Sequence, residues 1–311
     1  MAIELRFKLP YNRPIPANKR VWEVRMKTHR AAAVLAVCAF TVPAFCQEPP
    51  AVLSIYREVI KEGRGSAHEK TEGDWARAMR RAKFPAHSVA LTTMAGPNEV
   101  WFVERFESFA KMEEAMKAFD SGPLKNETEM LDARDGELRA TSSNMIAVYR
   151  KDLSYHPERW NVGKIRYVGV TRMQLKLGAM IDFMKGTKEI LAAYEKANFP
   201  MPMLAAQVVA GAPNGTFLIF MGSESLAVYD KMEEYENAMM QAMGQERAME
   251  FMKGEGAVFQ SIANTMFRVS PGMSYVSKET EDADPAFWRP KAAAAPAKPA
   301  ADAKPKDKTG Q

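Results

Sequence analysis

Beyond an N-terminal leader the chain has three histidines that could do acid–base or ligand chemistry: His68, His87 and His156. None has a companion at metal-ligand spacing, so no metal site is expected. His87 opens an alternating run with Val89, Leu91 and Thr93. An imidazole there could act as a general base or ligate haem, and it is the catalytic candidate; the plainer alternative is a partly exposed histidine at a strand end. His68 falls at a helix start among polar residues and reads as a surface group. Arg57 and Arg172 occupy matching positions, each on the parity of apolar neighbours: Leu53, Ile55 and Val59 for one, Val168 and Val170 for the other. A charge on such a face is costly unless paired. Each arginine could therefore bind an anion or polarise a carbonyl, or else hold a structural salt bridge across a pseudo-twofold axis relating the two positions, with Glu104 or Glu58 as partner.

Aromatic side chains near these strands, Tyr56, Tyr167, Trp101 and Phe102, could line an apolar ligand cavity or be ordinary core. Ligand-binding candidates are thus Arg57, Arg172, Tyr56, Trp101 and Tyr167. No Ser-His-Asp order, Gly-rich phosphate loop or HExxH motif is present. Met239, Met240, Met243, Met249 and Met252 fall at helical spacing. They allow a thioether copper(I) site, but helix-spaced methionine is the usual filler of irregular cores, and that reading is preferred.

The elements that must position these groups come from an internal repeat. Tyr56 to Gly63 aligns with Thr171 to Gly178, and the same offset carries Ala82-Lys83-Phe84-Pro85 onto Ala197-Asn198-Phe199-Pro200. Gly96-Pro97-Asn98 then matches Ala212-Pro213-Asn214, and Lys111-Met112-Glu113-Glu114 matches Lys231-Met232-Glu233-Glu234. Phe183 and Pro202 stand opposite His68 and His87, so a histidine site would be private to the first copy. Periodicity predicts strand 52–60, helix 68–83, strands 88–94 and 100–106, helices 109–119 and 124–139, and strand 145–149. The second copy reads as strand 165–175, helix 179–197, strands 203–210 and 216–221, helices 224–243 and 245–262, and strand 264–269. The order β-α-β-β-α-β is the ferredoxin-like split unit. The expected fold is α+β: two tandem ferredoxin-like repeats, 47–160 and 161–278, forming an intramolecular pseudo-dimeric α+β barrel. A tail of mostly Ala, Pro and Lys, 279–311, is expected to be disordered. Phe287-Trp288 within it could still dock on the body.

Residues 1–46 read as a leader with a signal peptide. From Met26 a short basic region precedes an apolar stretch, Ala31 to Phe40, and small residues around Ala44 and Cys46. Translation starting at Met26 and a periplasmic or secreted destination are the expectations; a lipid anchor on Cys46 is the alternative. The apolar run is too short for the about 20 residues of a spanning helix. The chain has 43 Lys+Arg against 38 Asp+Glu. The leader holds eight of the former and two of the latter, leaving 35 against 36, so the basic balance is no argument for nucleic acid. Both cysteines, Cys38 and Cys46, also lie in the leader, so the rest has no thiol nucleophile, disulfide or thiolate metal site.

The first strand running into Ile60-Lys61-Glu62-Gly63-Arg64 and Leu175-Lys176-Leu177-Gly178, then a long helix and a Phe-Pro entry to a hairpin, resembles the dimeric α+β barrel superfamily. The NIPSNAP-like, EthD-like and antibiotic-biosynthesis-monooxygenase-like families are the relevant groups, and the match is one of architecture over residues 51–272. The resemblance implies a location for a ligand rather than a reaction. The expected function is therefore binding of a small apolar ligand between the repeats, with no cofactor. The alternative is a cofactor-independent monooxygenase- or isomerase-like enzyme, or a haem-binding one. A monomer with a pseudo-twofold is consistent with the duplication.

Overall fold

The computed structural model describes residues 51–121 and 124–289. The expected signal segment, Met26, Cys46 and the tail from 290 onward lie outside the described residues. In chain order the elements are β1 (Val52–Ile60), α1 (Gly65–Ala82), β2 (Ser88–Ala95), β3 (Glu99–Phe106), α2 (Phe109–Ser121), α3 (Lys125–Gly136) and β4 (Arg139–Tyr149). Then follow β5 (Tyr167–Leu175), α4 (Met180–Ala197), β6 (Met203–Ala210), β7 (Thr216–Ser223), α5 (Met232–Met243), α6 (Gln245–Val258) and β8 (Phe259–Tyr275). Two short helices, α7 (Lys278–Ala283) and α8 (Pro285–Trp288), close the described chain.

The eight strands form a closed antiparallel barrel in the order β1-β3-β2-β8-β5-β7-β6-β4. Ladders β2–β8 and β4–β6 join the two halves, so neither half is left with an open sheet edge. Alternation along each strand decides what faces inward. Leu53, Ile55, Leu91, Met145, Leu218 and Phe267 fill the lumen together with Trp101, whose ring lies 5.1 Å from that of Phe267. The lumen is thus a packed core. This displaces the ligand site expected between the two repeats: the barrel's inward face is occupied by its own side chains.

Helices α1 and α4 end alike. Lys83 and Asn198 take left-handed backbone, with φ of 52° and 51°. The following Phe84 and Phe199 amides donate to the carbonyls of Met79 and Tyr194, at 3.0 Å each, which closes both helices before a Phe-Pro pair.

Several boundaries differ from the sequence reading. β4 begins at Arg139 rather than 145, because residues 141–144 are exposed and polar and so show no apolar alternation, yet they pair with β1. β8 extends from 259 to 275 through Pro271-Gly272, which reads as a break. Proline is tolerated here because the ladder with β2 is interrupted at that point: Ala90 pairs with Ser270 and Ser88 with Tyr275. Ser274 Oγ fills the gap, accepting from the Ala90 amide at 2.9 Å and donating to the Ser270 carbonyl at 2.6 Å. The helix expected over 224–243 divides into a 3-10 turn, Leu226–Lys231, and α5. Residues 279–289, grouped with the tail by composition, carry α7 and α8; Trp288 is buried and its Nε1 donates to the Gly163 carbonyl at 3.0 Å. Among the described residues no helix is long and apolar enough to cross a membrane.

Candidate functional site

On β1 the residues out of phase with the lumen, Ser54, Tyr56 and Glu58, face the helices of the first half and line a cavity of about 630 Å³. That volume lies inside the roughly 300–1,000 Å³ of small-molecule sites. Trp75 and Met79 of α1, Phe102 of β3, and Met112, Ala115 and Phe119 of α2 supply apolar wall. The opposite end is polar, with Glu58, Glu72, Asp135 and Arg139.

Four elements assemble this polar floor. α1 carries His68 and Glu72 four residues apart, hence on one helix face, in the same stripe as Trp75 and Met79. β1 supplies Glu58, the last turn of α3 supplies Asp135, and Arg139 is the first residue of β4. His68 Nε2 lies 2.7 Å from Glu58 Oε2 and 3.5 Å from Asp135 Oδ1. Arg139 Nη1 donates to Glu58 Oε1 at 2.8 Å, Asp135 Oδ2 at 3.0 Å and the Tyr56 hydroxyl at 2.7 Å; its Nη2 donates to Asp132 at 2.6 Å. Glu58, His68 and Asp135 are each 1% exposed and Glu72 is 7% exposed.

Burial at this density shifts the carboxyl groups in opposite directions. Burial pushes Glu58 upward, but hydrogen bonds from His68 and Arg139 outweigh it and hold it below the usual carboxylate range. Glu72 is raised to about 9, first by burial and then by repulsion from Glu58 and Asp135. Asp135 is raised to about 6 by burial and by Glu58. The floor thus has three buried carboxyl groups served by a single guanidinium, and its charge balance calls for a proton or another cation.

The candidates from sequence are scattered. Tyr56 lines the cavity. Arg57 points to the other side of β1, where both its Nη2 contacts to Glu99 are 2.8 Å and its guanidinium carbon lies 5.0 Å from the centre of the Trp101 ring. Its partner is therefore Glu99, two positions before its neighbour on β3, rather than Glu104 or Glu58. Trp101 is lumen core and donates from Nε1 to Glu99 at 2.7 Å. Tyr167 is half-buried on β5 and outside the cavity lining, and Arg172 is exposed. His87 is half-buried just before β2, its ring 4.8 Å from that of Tyr275; burial and then Arg105 lower its pKa. His68, read as a surface group, is instead buried, because the start of α1 lies against β1 and α3. Met249 and Met252, read as core, are 51% and 54% exposed.

Sequence reasoning missed Glu72, Asp135 and Arg139, and used Glu58 only as a partner for Arg57. The usable signal was His68-x3-Glu72 in phase with Trp75 and Met79. The second half offers a contrast: Met173 and Phe183 stand at the positions of Glu58 and His68, and pack with Phe217 and Phe259 in an apolar cluster. A histidine-ligated haem does not fit the cavity as built, since no imidazole is among its lining residues.

No protein-family model matches the chain, and no curated protein matches it. Among solved structures it is similar to an anthrone oxidase-like protein, at 10% identity over 74% of this chain and 96% of that one, with a TM-score of 0.49. It is also similar to a monooxygenase-like protein from Fusobacterium nucleatum, at 10% identity over 72% and 94% of the two chains, TM-score 0.47. A chlorite dismutase from Candidatus Nitrospira defluvii in complex with imidazole gives 8% identity over 73% and 93%, TM-score 0.44.

Proposed function

We propose that the chain is an enzyme of the monooxygenase or isomerase kind, and that its site is the cavity between α1–α3 and the outer face of the barrel. The observation that carries this reading is the cavity's division into apolar walls and a buried charged floor. Such a shape takes a small molecule with an apolar body and an oxygen-bearing end, the latter directed at Tyr56 and the carboxyl groups. A purely structural network would not need an apolar chamber beside it.

The test is binding of the uncharged fluorescent probe N-phenyl-1-naphthylamine to the chelator-treated chain. Saturable binding is expected, weakened about tenfold or more by Ala115→Trp, which projects an indole into a chamber of this size. Equal binding by both proteins would remove the cavity as the ligand site.

We further infer that the halves are tandem ferredoxin-like repeats of the NIPSNAP-, EthD- or antibiotic-biosynthesis-monooxygenase-like kind. Both halves order their strands alike, β4-β1-β3-β2 and β8-β5-β7-β6, which supports this reading. Export to the periplasm or medium through the segment from Met26 to Cys46 is part of the same proposal; a secreted chain whose N-terminal sequence began near Ala2 would contradict it.

A further inference from the structure

We propose that Glu58, His68, Glu72 and Asp135 bind one divalent transition-metal ion, of the manganese-to-zinc class, at the floor of the cavity. One ligand atom from each residue lies within 4.8 Å of all the others, and all four residues are buried. Metal–ligand bonds of about 2.0–2.2 Å place donor atoms on that scale or slightly closer, so modest contraction suffices. The second observation is Asp135 Oδ1. It is buried, accepts no hydrogen bond from any described donor, and points toward His68 Nε2 at 3.5 Å. A buried carboxylate oxygen left without a donor is costly, and a bound cation would satisfy it where the geometry supplies no well-placed donor.

Arg139 does not fill that role. It contacts Glu58 Oε1 and Asp135 Oδ2, the oxygens on one side of the cluster, and leaves Glu58 Oε2 and Asp135 Oδ1 facing His68. One imidazole among carboxylates favours a borderline first-row ion over calcium or magnesium, which prefer all-oxygen shells. The ion would take the place of the proton between His68 Nε2 and Glu58 Oε2 and of the carboxyl proton on Glu72, both leaving to solvent. Because β1, α1 and α3 each contribute, the site exists only in the folded chain. Met173 and Phe183 occupy the matching positions in the second half, so a single ion per chain is expected.

The inference rests on the cavity being the functional site, since Glu58, Glu72 and Asp135 border it. The experiment is calorimetric titration of the chelator-stripped full chain with zinc chloride and manganese chloride, with the manganese EPR signal as a second readout. One equivalent is expected to bind, with affinity falling about tenfold or more in Glu72→Gln and in Asp135→Asn, each checked by circular dichroism for folding. The half-buried His156, with the exposed Glu158 and Glu195 beside it, is the competing surface site. His156→Gln should leave binding unchanged. Absence of saturable binding to the folded wild type, undiminished binding by whichever floor variant folds, or loss of binding in His156→Gln would overturn the proposal. Probe binding measured in chelator is a separate readout: its survival without metal binding sinks the metal site alone, and its failure with metal binding intact sinks the cavity reading.

Discussion

His68 Nε2 lies 2.7 Å from Glu58 Oε2, and the two side chains keep only 2% and 1% of their surface. The contact ties the first turns of α1 to the end of β1, ten residues earlier in the chain. A polar pair at this depth is held at the expense of solvation, and the second half manages the same junction with Met173 and Phe183. The first half therefore carries the pair for something other than packing.

That contrast predicts the outcome of a double-mutant cycle. Glu58→Met or His68→Phe alone strands the remaining partner in a dry site and should cost about 3–5 kcal/mol. The double variant leaves Arg139 paired with Asp132 and Asp135, and should lose at least roughly 1 kcal/mol less than the two singles together. Urea unfolding of the four proteins measures this. Strict additivity would show that the pair is not coupled.

Arg57 and Arg172, twins by sequence position, should behave as opposites. Arg57 holds the buried Glu99 with three hydrogen bonds and lies over Trp101, so Arg57→Met should cost roughly 3 kcal/mol by leaving the Glu99 carboxylate with the indole donor alone. Arg172 is exposed, and Arg172→Met should stay within about 0.5 kcal/mol of wild type. Neither change should alter probe binding, because neither side chain borders the cavity. A tenfold loss of binding in Arg57→Met would return that arginine to the list of ligand contacts.

The difference between those two arginines shows where sequence reading works. Strand parity placed Leu53 and Ile55 on one apolar face, and both are buried in the lumen core, since burial of one face is a local pattern. The helix ends at Lys83 and Asn198 were visible for the same reason. Which residue would neutralise Arg57 depended instead on the β1–β3 register, and register is set by the whole barrel. The floor of the cavity was harder still. Glu58, His68, Asp135 and Arg139 come from four elements separated by up to 81 residues, and no local spacing rule spans such a set. Only the His68-x3-Glu72 pair carried a local sign, and its polar neighbours made it resemble an ordinary solvated face.

Glu104 gives a pH prediction away from that floor. It sits on β3 opposite Ser54 and Ser88 and borders the cavity. Burial raises its pKa, and a hydrogen bond from Ser54 only partly offsets this. The folded state thus binds the Glu104 proton more tightly than the unfolded chain does. Its stabilising effect is complete below the ordinary glutamic acid range, near 4.3, and is lost as pH rises through the raised folded value. Glu104→Gln should accordingly be more stable than wild type at neutral pH, with the gap closing as pH falls toward 4. Chemical denaturation across pH 4 to 8 reads the difference. A gap that widened on acidification would show that Glu104 is ionised and paired in the fold.

The last prediction separates the lumen from the cavity as ligand sites. Leu218 is fully buried in the lumen core, and Leu218→Ala removes three heavy atoms from a packed interior. The expected loss is about 2–5 kcal/mol, larger if the neighbouring strands do not relax. Because the barrel wall stands between Leu218 and the chamber under α1–α3, probe affinity should change less than about twofold. Ala115→Trp should show the reverse: a stability change of about 1–3 kcal/mol from crowding α2, and a large loss of probe binding. Thermal unfolding and fluorescence titration on the same preparations give both quantities. If Leu218→Ala were the variant that altered binding, the ligand would belong inside the barrel, and the chamber beneath the helices would be only a packing defect.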